Sequence, residues 1–237
     1  MPLFQGANNS ITKSIIMRLT LLDPDHFDFP PTSEALDEPN GLLAVGGDLS
    51  AERLINAYRR GIFPWYSGDD PILWWSPNPR AVLFPNELHV SKSLQKRLRK
   101  NDFSVTFDQA FSDVMENCRN VDDRATATWI SDDIKAAYCR LHDMGYAHSV
   151  EVWQEHYGER ILVGGLYGLA MGKVFFGESM FSRMTDASKI ALVSLTKRLI
   201  ELEYQLIDCQ VTNPHLLTLG AREIPRTEFE WLLSRYL

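Results

Sequence analysis

The chain has 237 residues, 45% of them hydrophobic and 23% charged, enough apolar material for one large domain or two modest ones. Its formal net charge of −7 excludes a body that attracts nucleic acid over its whole surface. The three cysteines, Cys118, Cys139 and Cys209, are far apart, odd in number and form no C-x-x-C pair. That excludes a disulfide framework and reads as reduced thiols in a cytosolic protein.

Residues 1–16 are polar and without periodicity, lacking the basic start and apolar run of a signal peptide, and read as a flexible extension. The longest charge-free apolar stretch, Ile161 to Gly172, is too short for a bilayer, so no membrane association is expected. Residues 17–85, rich in Pro and Trp, read as a small N-terminal domain. Within it "AVGGDLS" reads as a helix-entry turn, because two adjacent glycines are a weak signal for a phosphate loop. Ser50 is expected to cap a helix over Ala51 to Arg60 with Leu54, Ile55 and Tyr58 on its apolar face, ended by Gly61. Asp108 reads as the cap of a helix carrying Phe111, Val114 and Met115. Ser131 reads as the cap of another, with Ile134, Ala137, Tyr138 and Leu141 at i, i+3, i+4 and i+7.

From His148 the pattern changes. "HSVEVWQ", "RILVGGLYGLAM" and "GKVFFGESMFS" read as three strands with short turns. A helix follows from Ala187 to about Leu202, with Leu192, Leu195, Leu199 and Leu202 on one face. "YQLIDCQV" is a fourth strand, and Thr227 with Glu230 forms a capping box for a last helix. The order β-β-β-α-β implies a parallel pair across the helix. The fold class is α+β, and residues 86–237 resemble the acyltransferase fold of the Gcn5-related N-acetyltransferases. Those enzymes hold the CoA pyrophosphate on a Gly-rich turn opening the central helix. Here that stretch is "SRMTDASK", without glycine, which weighs against acetyl-CoA.

Three features carry chemistry. Strand alternation puts Asp208 and Gln210 on one face of an apolar strand, where unpaired polar groups are costly. They are either a self-satisfied buried pair or part of a site. Five of the ten residues in "SKSLQKRLRK" are cationic; on a helix Lys92, Lys96 and Arg99 lie within about 60° of one another, opposite Leu94 and Leu98. Such a stripe is either a solvated face or a polyanion contact. Trp65 and Trp129 sit in loop-like sequence, where an aromatic can stack a splayed base, whereas Trp74 and Trp75 read as core. The six histidines show no metal-ligand spacing, and no G-x-S-x-G or Cys-centred motif marks a covalent nucleophile.

"EPNGLLAVGGDLS", "GIFPWYSGDDPILWWSPNPRAVLFP", "TWIS", "GESMFSR", "LIDCQV" and "LGAREIPR" together resemble the leucyl/phenylalanyl-tRNA–protein transferases, from about Met17 onward. The resemblance implies a cytoplasmic, monomeric bacterial enzyme without cofactor or metal. It would move Leu or Phe, and weakly Met, from aminoacyl-tRNA to proteins with N-terminal Lys or Arg, marking them for N-degron degradation. It implies Asp208, Gln210 and Glu178 as catalytic residues and puts the terminal adenosine of the tRNA near Trp65 and Trp129, with Asn213 beside the acid–amide pair. It assigns the aminoacyl pocket to Leu166, Gly177, Leu192, Leu195, Leu199 and Ile207, and tRNA binding to Lys92, Lys96, Arg97, Arg99 and Lys100. Aromatics often floor this pocket in the family; Leu195 and Leu199 stand there instead, leaving the Leu-versus-Phe balance open. A CoA-dependent N-acetyltransferase and a tRNA-binding adaptor without catalysis are the competing readings.

Overall fold

Two sheets organise the chain in a computed structural model, which describes residues 19–68, 70–120 and 128–237. The expected extension over residues 1–16 lies outside them. The first sheet has the order β1 (Thr20–Leu22), β2 (Leu42–Gly46), β4 (Leu73–Trp75), β3 (Phe63–Pro64). Helix α1 (Ala51–Arg59) connects β2 to β3, and Ser50 caps it as expected, accepting from the Arg53 N–H. Trp74 and Trp75 are buried in this sheet.

The second sheet has seven strands in the order β11 (Arg222–Ile224), β5 (Arg80–Leu83), β10 (Leu206–Gln210), β9 (Val174–Ser182), β8 (Glu159–Met171), β7 (Ala147–His156), β6 (Ser104–Phe107). Neighbours are antiparallel except β9 and β10, which are parallel across the long helix α5 (Ala187–Glu201), as the strand–helix–strand step requires. Helices α2 (Lys92–Arg99), α3 (Phe111–Arg119) and α4 (Asp132–Asp143) precede this run; α6 (Pro214–Thr218) and α7 (Arg226–Tyr236) follow β10 and β11. The result is a mixed α+β chain with a small N-terminal sheet and a sheet-rich C-terminal region.

The division at residue 85 does not follow the sheets. β5 lies before it in sequence but pairs with β10 and β11. One core joins Leu42, Trp74 and Phe63 of the first sheet to Tyr167 and Phe176 of the second and to Phe229 of α7. Adjacent residues of β8 point to opposite faces, so Tyr167 enters this core while Leu166 enters another with Leu192, Leu195 and Leu199 of α5.

Two caps differ from expectation. Asp108 has φ +58°, and its carboxylate accepts from the Ser149 N–H at 2.8 Å and pairs with His148 at 2.9 Å. The free N–H groups before α3, on Gln109 and Ala110, are met instead by the buried Glu151 carboxylate of β7, at 3.4 Å each. At α7, Thr227 lies inside the helix and Asn78 Oδ1 accepts from the Arg226 N–H at 3.0 Å, while Glu230 takes a hydrogen bond from Thr32. Both helices meet distant partners that local spacing cannot reveal. Ser131 caps α4 as expected.

Candidate active site

The end of β10 is irregular. Its register against β5 shifts between Asp208 and Gln210, and Gln210 adopts φ +61°, a conformation that costs an L-residue about 1–2 kcal/mol. The bulge breaks strand alternation, so the two side chains do not act as one face. Asp208 is fully buried and receives a guanidinium fork, Arg80 Nε on Oδ1 at 2.8 Å and Nη2 on Oδ2 at 2.6 Å. Its Oδ1 also accepts from the backbone N–H of Gln210 at 2.9 Å. Asp208 thus holds the backbone of Gln210 and not its side chain.

The Gln210 side chain reaches Glu178 on β9, its Nε2 donating to Oε1 at 2.9 Å. Tyr58 of α1 donates to the same oxygen at 2.7 Å, and Tyr138 of α4 donates to Oε2 at 3.0 Å. The two tyrosine hydroxyls are also hydrogen-bonded to each other. Burial pushes the Glu178 carboxyl up to about 7, with the Asp208 charge adding to the rise and the tyrosine donors and Arg80 opposing it. Burial and the nearby Glu178 charge hold Tyr58, Tyr138 and Tyr167 well above the usual phenol range, so they remain donors.

Glu178 and Gln210 open onto a cavity of about 300 Å³. Of the residues expected there, Leu166, Gly177, Leu192, Leu195, Ile207 and Asn213 line it; Leu199 does not, lying one turn further along α5 in the closed core. Phe175 adds an aromatic to the wall, beside Met180 and Leu216. Asn213 caps α6, its Oδ1 accepting from the Leu216 N–H at 2.8 Å. Tyr167 also borders the cavity, and its hydroxyl is buried without a partner among the described residues.

A second cleft of about 450 Å³ adjoins the first at Val211, which lines both. Trp65 forms part of its wall with Trp75, Asn40, Glu38 and Glu223; the two indoles lie 5.6 Å apart. Trp129 is part-buried against the main core and lines neither cavity. The basic run forms α2 as expected, with Leu94 buried and Lys92, Lys96, Arg99 and Lys100 exposed. Arg97 departs from the stripe: it pairs with Asp102 and stacks over Phe103 at 4.2 Å.

Sequence reasoning missed Arg80, Tyr58, Tyr138 and Phe175 as parts of this site. Tyr58 and Tyr138 sit on the apolar stripes of their helices, where they read as core. Only their shared approach to Glu178, 120 and 40 residues away in sequence, gives them another role. Among the described residues no group of His, Cys, Asp and Glu side chains could hold a metal ion, and no helix is long and apolar enough to cross a membrane.

Comparison with known proteins is consistent along the chain. A family model described as leucyl/phenylalanyl-tRNA protein transferase matches residues 82–234, and one for the N-terminal domain of the same proteins matches 47–78. The chain is 58% identical over 219 residues to a leucyl/phenylalanyl-tRNA–protein transferase of Stutzerimonas stutzeri, covering 92% of this chain and 95% of that one. It is 56% identical over 215 residues to one of Cellvibrio japonicus, covering 91% and 90%. Among solved structures, FemX overlays with a TM-score of 0.46 at 12% identity, covering 77% of this chain and 70% of that one, too loose a likeness to bear on fold or function. The chain belongs to the leucyl/phenylalanyl-tRNA–protein transferase family and is a transferase.

Proposed function

We propose that the protein transfers leucine or phenylalanine, and weakly methionine, from aminoacyl-tRNA to the α-amino group of proteins beginning with Lys or Arg. The product is marked for N-degron degradation, and the enzyme works as a cytoplasmic monomer without cofactor. The observation that carries the reading is the Glu178–Gln210 pair opening onto an apolar cavity lined by Leu166, Leu192, Leu195 and Ile207. The aminoacyl side chain fills that cavity, which sets its ester beside Gln210. The terminal adenosine takes the adjoining cleft against Trp65, and the exposed cations of α2 meet tRNA phosphates.

The chemistry asked of these residues is light, because an aminoacyl ester is already activated. The acceptor amine attacks the ester carbon, the new C–N bond forms, and the bond to the ribose oxygen breaks. A free α-amine has a pKa of ~7.7–8.0, so roughly a tenth is neutral at pH 7. Gln210 has its Nε2 committed to Glu178, which leaves its carbonyl oxygen to accept from the amine and orient it. Both Asp208 oxygens are taken by N–H donors, so Asp208 is not the proton acceptor. Glu178 fits that part: its Oε2 receives only Tyr138, and its carboxyl titrates about 7, where a base is most effective. The proton then leaves with the ribose oxygen. A base contributes ~10²–10⁴-fold and positioning effective molarities of ~10⁵–10⁸ M, so positioning dominates.

We read β7–β8–β9–α5–β10 as an acetyltransferase-like unit, but not one for acetyl-CoA. The turn before α5 has no glycine, the Ser188 N–H in the first turn of the helix is taken by Ser182 Oγ at 3.2 Å, and the Asp186 carboxylate at the cap would repel a pyrophosphate. The deciding experiment incubates the protein with radiolabelled Leu-tRNA and a model protein beginning with Arg. Label in the protein is the expected result; modification only with acetyl-CoA would reverse the reading, and tRNA binding without transfer would make it an adaptor.

A further inference from the structure

Arg80 is fully buried and belongs to none of the residues that face the cavity. Its guanidinium is fixed from every side. The fork on Asp208 uses Nε and Nη2, and Nη1 donates to the Gly61 carbonyl at 3.0 Å. The Phe63 and Phe229 rings lie on it with centroids at 4.8 and 4.6 Å. Gly61 and Phe63 belong to the N-terminal region and Phe229 to α7, so three separated parts of the chain converge on one cation.

We infer that Arg80 is a positioning residue of the transfer, acting through Asp208 on Gln210. Asp208 Oδ1 shares its lone pairs between Arg80 Nε and the Gln210 N–H, at the residue whose φ is +61°. That hydrogen bond holds the bulge, and the bulge aims the amide at Glu178. A carboxylate buried without its cation rotates toward another donor or takes up a proton. In either case the Gln210 N–H loses its anchor, the backbone relaxes toward negative φ, and Nε2 leaves Glu178. Arg80 does not touch the cavity, so it should govern turnover and leave tRNA affinity alone. A misplacement of 1 Å at a reacting group costs roughly 10²-fold in rate. The inference rests on the proposed role of Gln210 in orienting the acceptor amine.

The test compares Leu transfer and Leu-tRNA affinity for the parent, Arg80→Lys, Gln210→Ala and the two combined, each checked for folding by circular dichroism. Arg80→Lys keeps the charge but cannot form the fork while reaching Gly61. It should lower kcat by ~10–10²-fold, no more than Gln210→Ala does, with tRNA affinity within about twofold of the parent. On the Gln210→Ala background, Arg80→Lys should cost less than about twofold further in the residual transfer. A role in stability alone would leave kcat of the folded protein unchanged, or multiply with Gln210→Ala, and either result overturns the inference. Should Arg80→Lys fail to fold, the pair Arg80→Met, Asp208→Asn removes both charges together; it should lose as much turnover as Asp208→Asn alone and no more. An additive loss there overturns it as well. A parent chain that transfers nothing overturns the proposed function before any variant is compared, and the inference falls with it.

Discussion

Gln210 and Glu178 fix each other's orientation: the amide nitrogen of one sits 2.9 Å from Oε1 of the other, so the amide oxygen must face away. In the proposed reaction that carbonyl oxygen accepts from the acceptor amine and repels the ester carbonyl, which sorts the two substrates. Gln210→Ala removes that acceptor and should lower kcat by ~10–10²-fold with little change in tRNA affinity. Gln210→Glu instead sets two carboxylates together, raising the pKa of the pair so that one stays protonated near neutrality. Its pH–rate profile should move to higher pH than the parent's. An unchanged profile would show that residue 210 does not sense Glu178.

With Glu178 as the proposed base, activity and stability should run in opposite directions with pH. Its carboxyl titrates about 7 in the folded protein against 4.5 for the ordinary group, so the folded state binds this proton more tightly than the unfolded state. The contribution to stability is complete below pH 4.5, falls as pH rises to about 7, and is gone above it, amounting to about 3 kcal/mol at most. The base form accumulates over the same rise. Glu178→Gln should therefore be more stable than the parent at pH 8 by denaturant titration, and should lose the acidic limb of the kcat profile with most of its turnover. A destabilised Glu178→Gln at pH 8 would mean that the ionised carboxylate is favourably paired.

Long patterned elements of this fold were legible in the sequence. The three strands from His148 are long runs rich in β-branched and aromatic residues between short turns, and Ser50 and Ser131 lie just before apolar periodicities, so those boundaries need only local rules. β5 was not legible. "RAVL" is four residues long, follows a Pro-rich stretch, and pairs with β10 and β11 from the other end of the chain. Nothing in its local sequence sets Arg80 apart. Asp208 and Gln210 were found because polar residues in an apolar strand are costly, but their geometry was misread: period two assumes an unbroken strand, and a φ of +61° at Gln210 breaks it. Leu199 and Leu202 were expected beside Leu192 and Leu195, yet the stripe outruns the cavity. Leu199 is closed core and Leu202 is 43% exposed at the end of α5.

Four exposed cations on and just after α2, Lys92, Lys96, Arg99 and Lys100, make no ion pair among the described residues, whereas Arg97 is committed to Asp102. Four phosphate contacts give a slope of about −2.8 to −3.6 for log affinity against log salt. The combined change Lys96→Ala, Arg99→Ala should weaken tRNA binding and flatten that slope by about 1.4 to 1.8. Arg97→Ala should leave the slope within its error. If Arg97→Ala flattens it as much as the other two, the Asp102 pair opens when tRNA binds.

The cavity wall should decide which aminoacyl-tRNA is used. Leu192, Leu195, Leu166 and Ile207 offer a smooth apolar slot, and Phe175 gives an aromatic side chain a ring to pack on. An unbranched or γ-branched side chain enters such a slot, while a β-branched one crowds the ester, so Ile- and Val-tRNA should be poor donors. Misfit by about one methylene is worth only ~1–3 kcal/mol, which leaves Met-tRNA as a weak donor. Leu192→Phe fills space in the slot and should reduce Phe transfer more than Leu transfer. Leu199→Ala supplies the control from the same helix. It removes buried bulk outside the cavity, so it should cost ~2–5 kcal/mol of stability without changing the Leu-to-Phe ratio of the folded protein. Competition between Leu-tRNA and Phe-tRNA for one acceptor measures that ratio directly. A ratio shifted by Leu199→Ala and untouched by Leu192→Phe would place the donor side chain deeper along α5 than the cavity wall described.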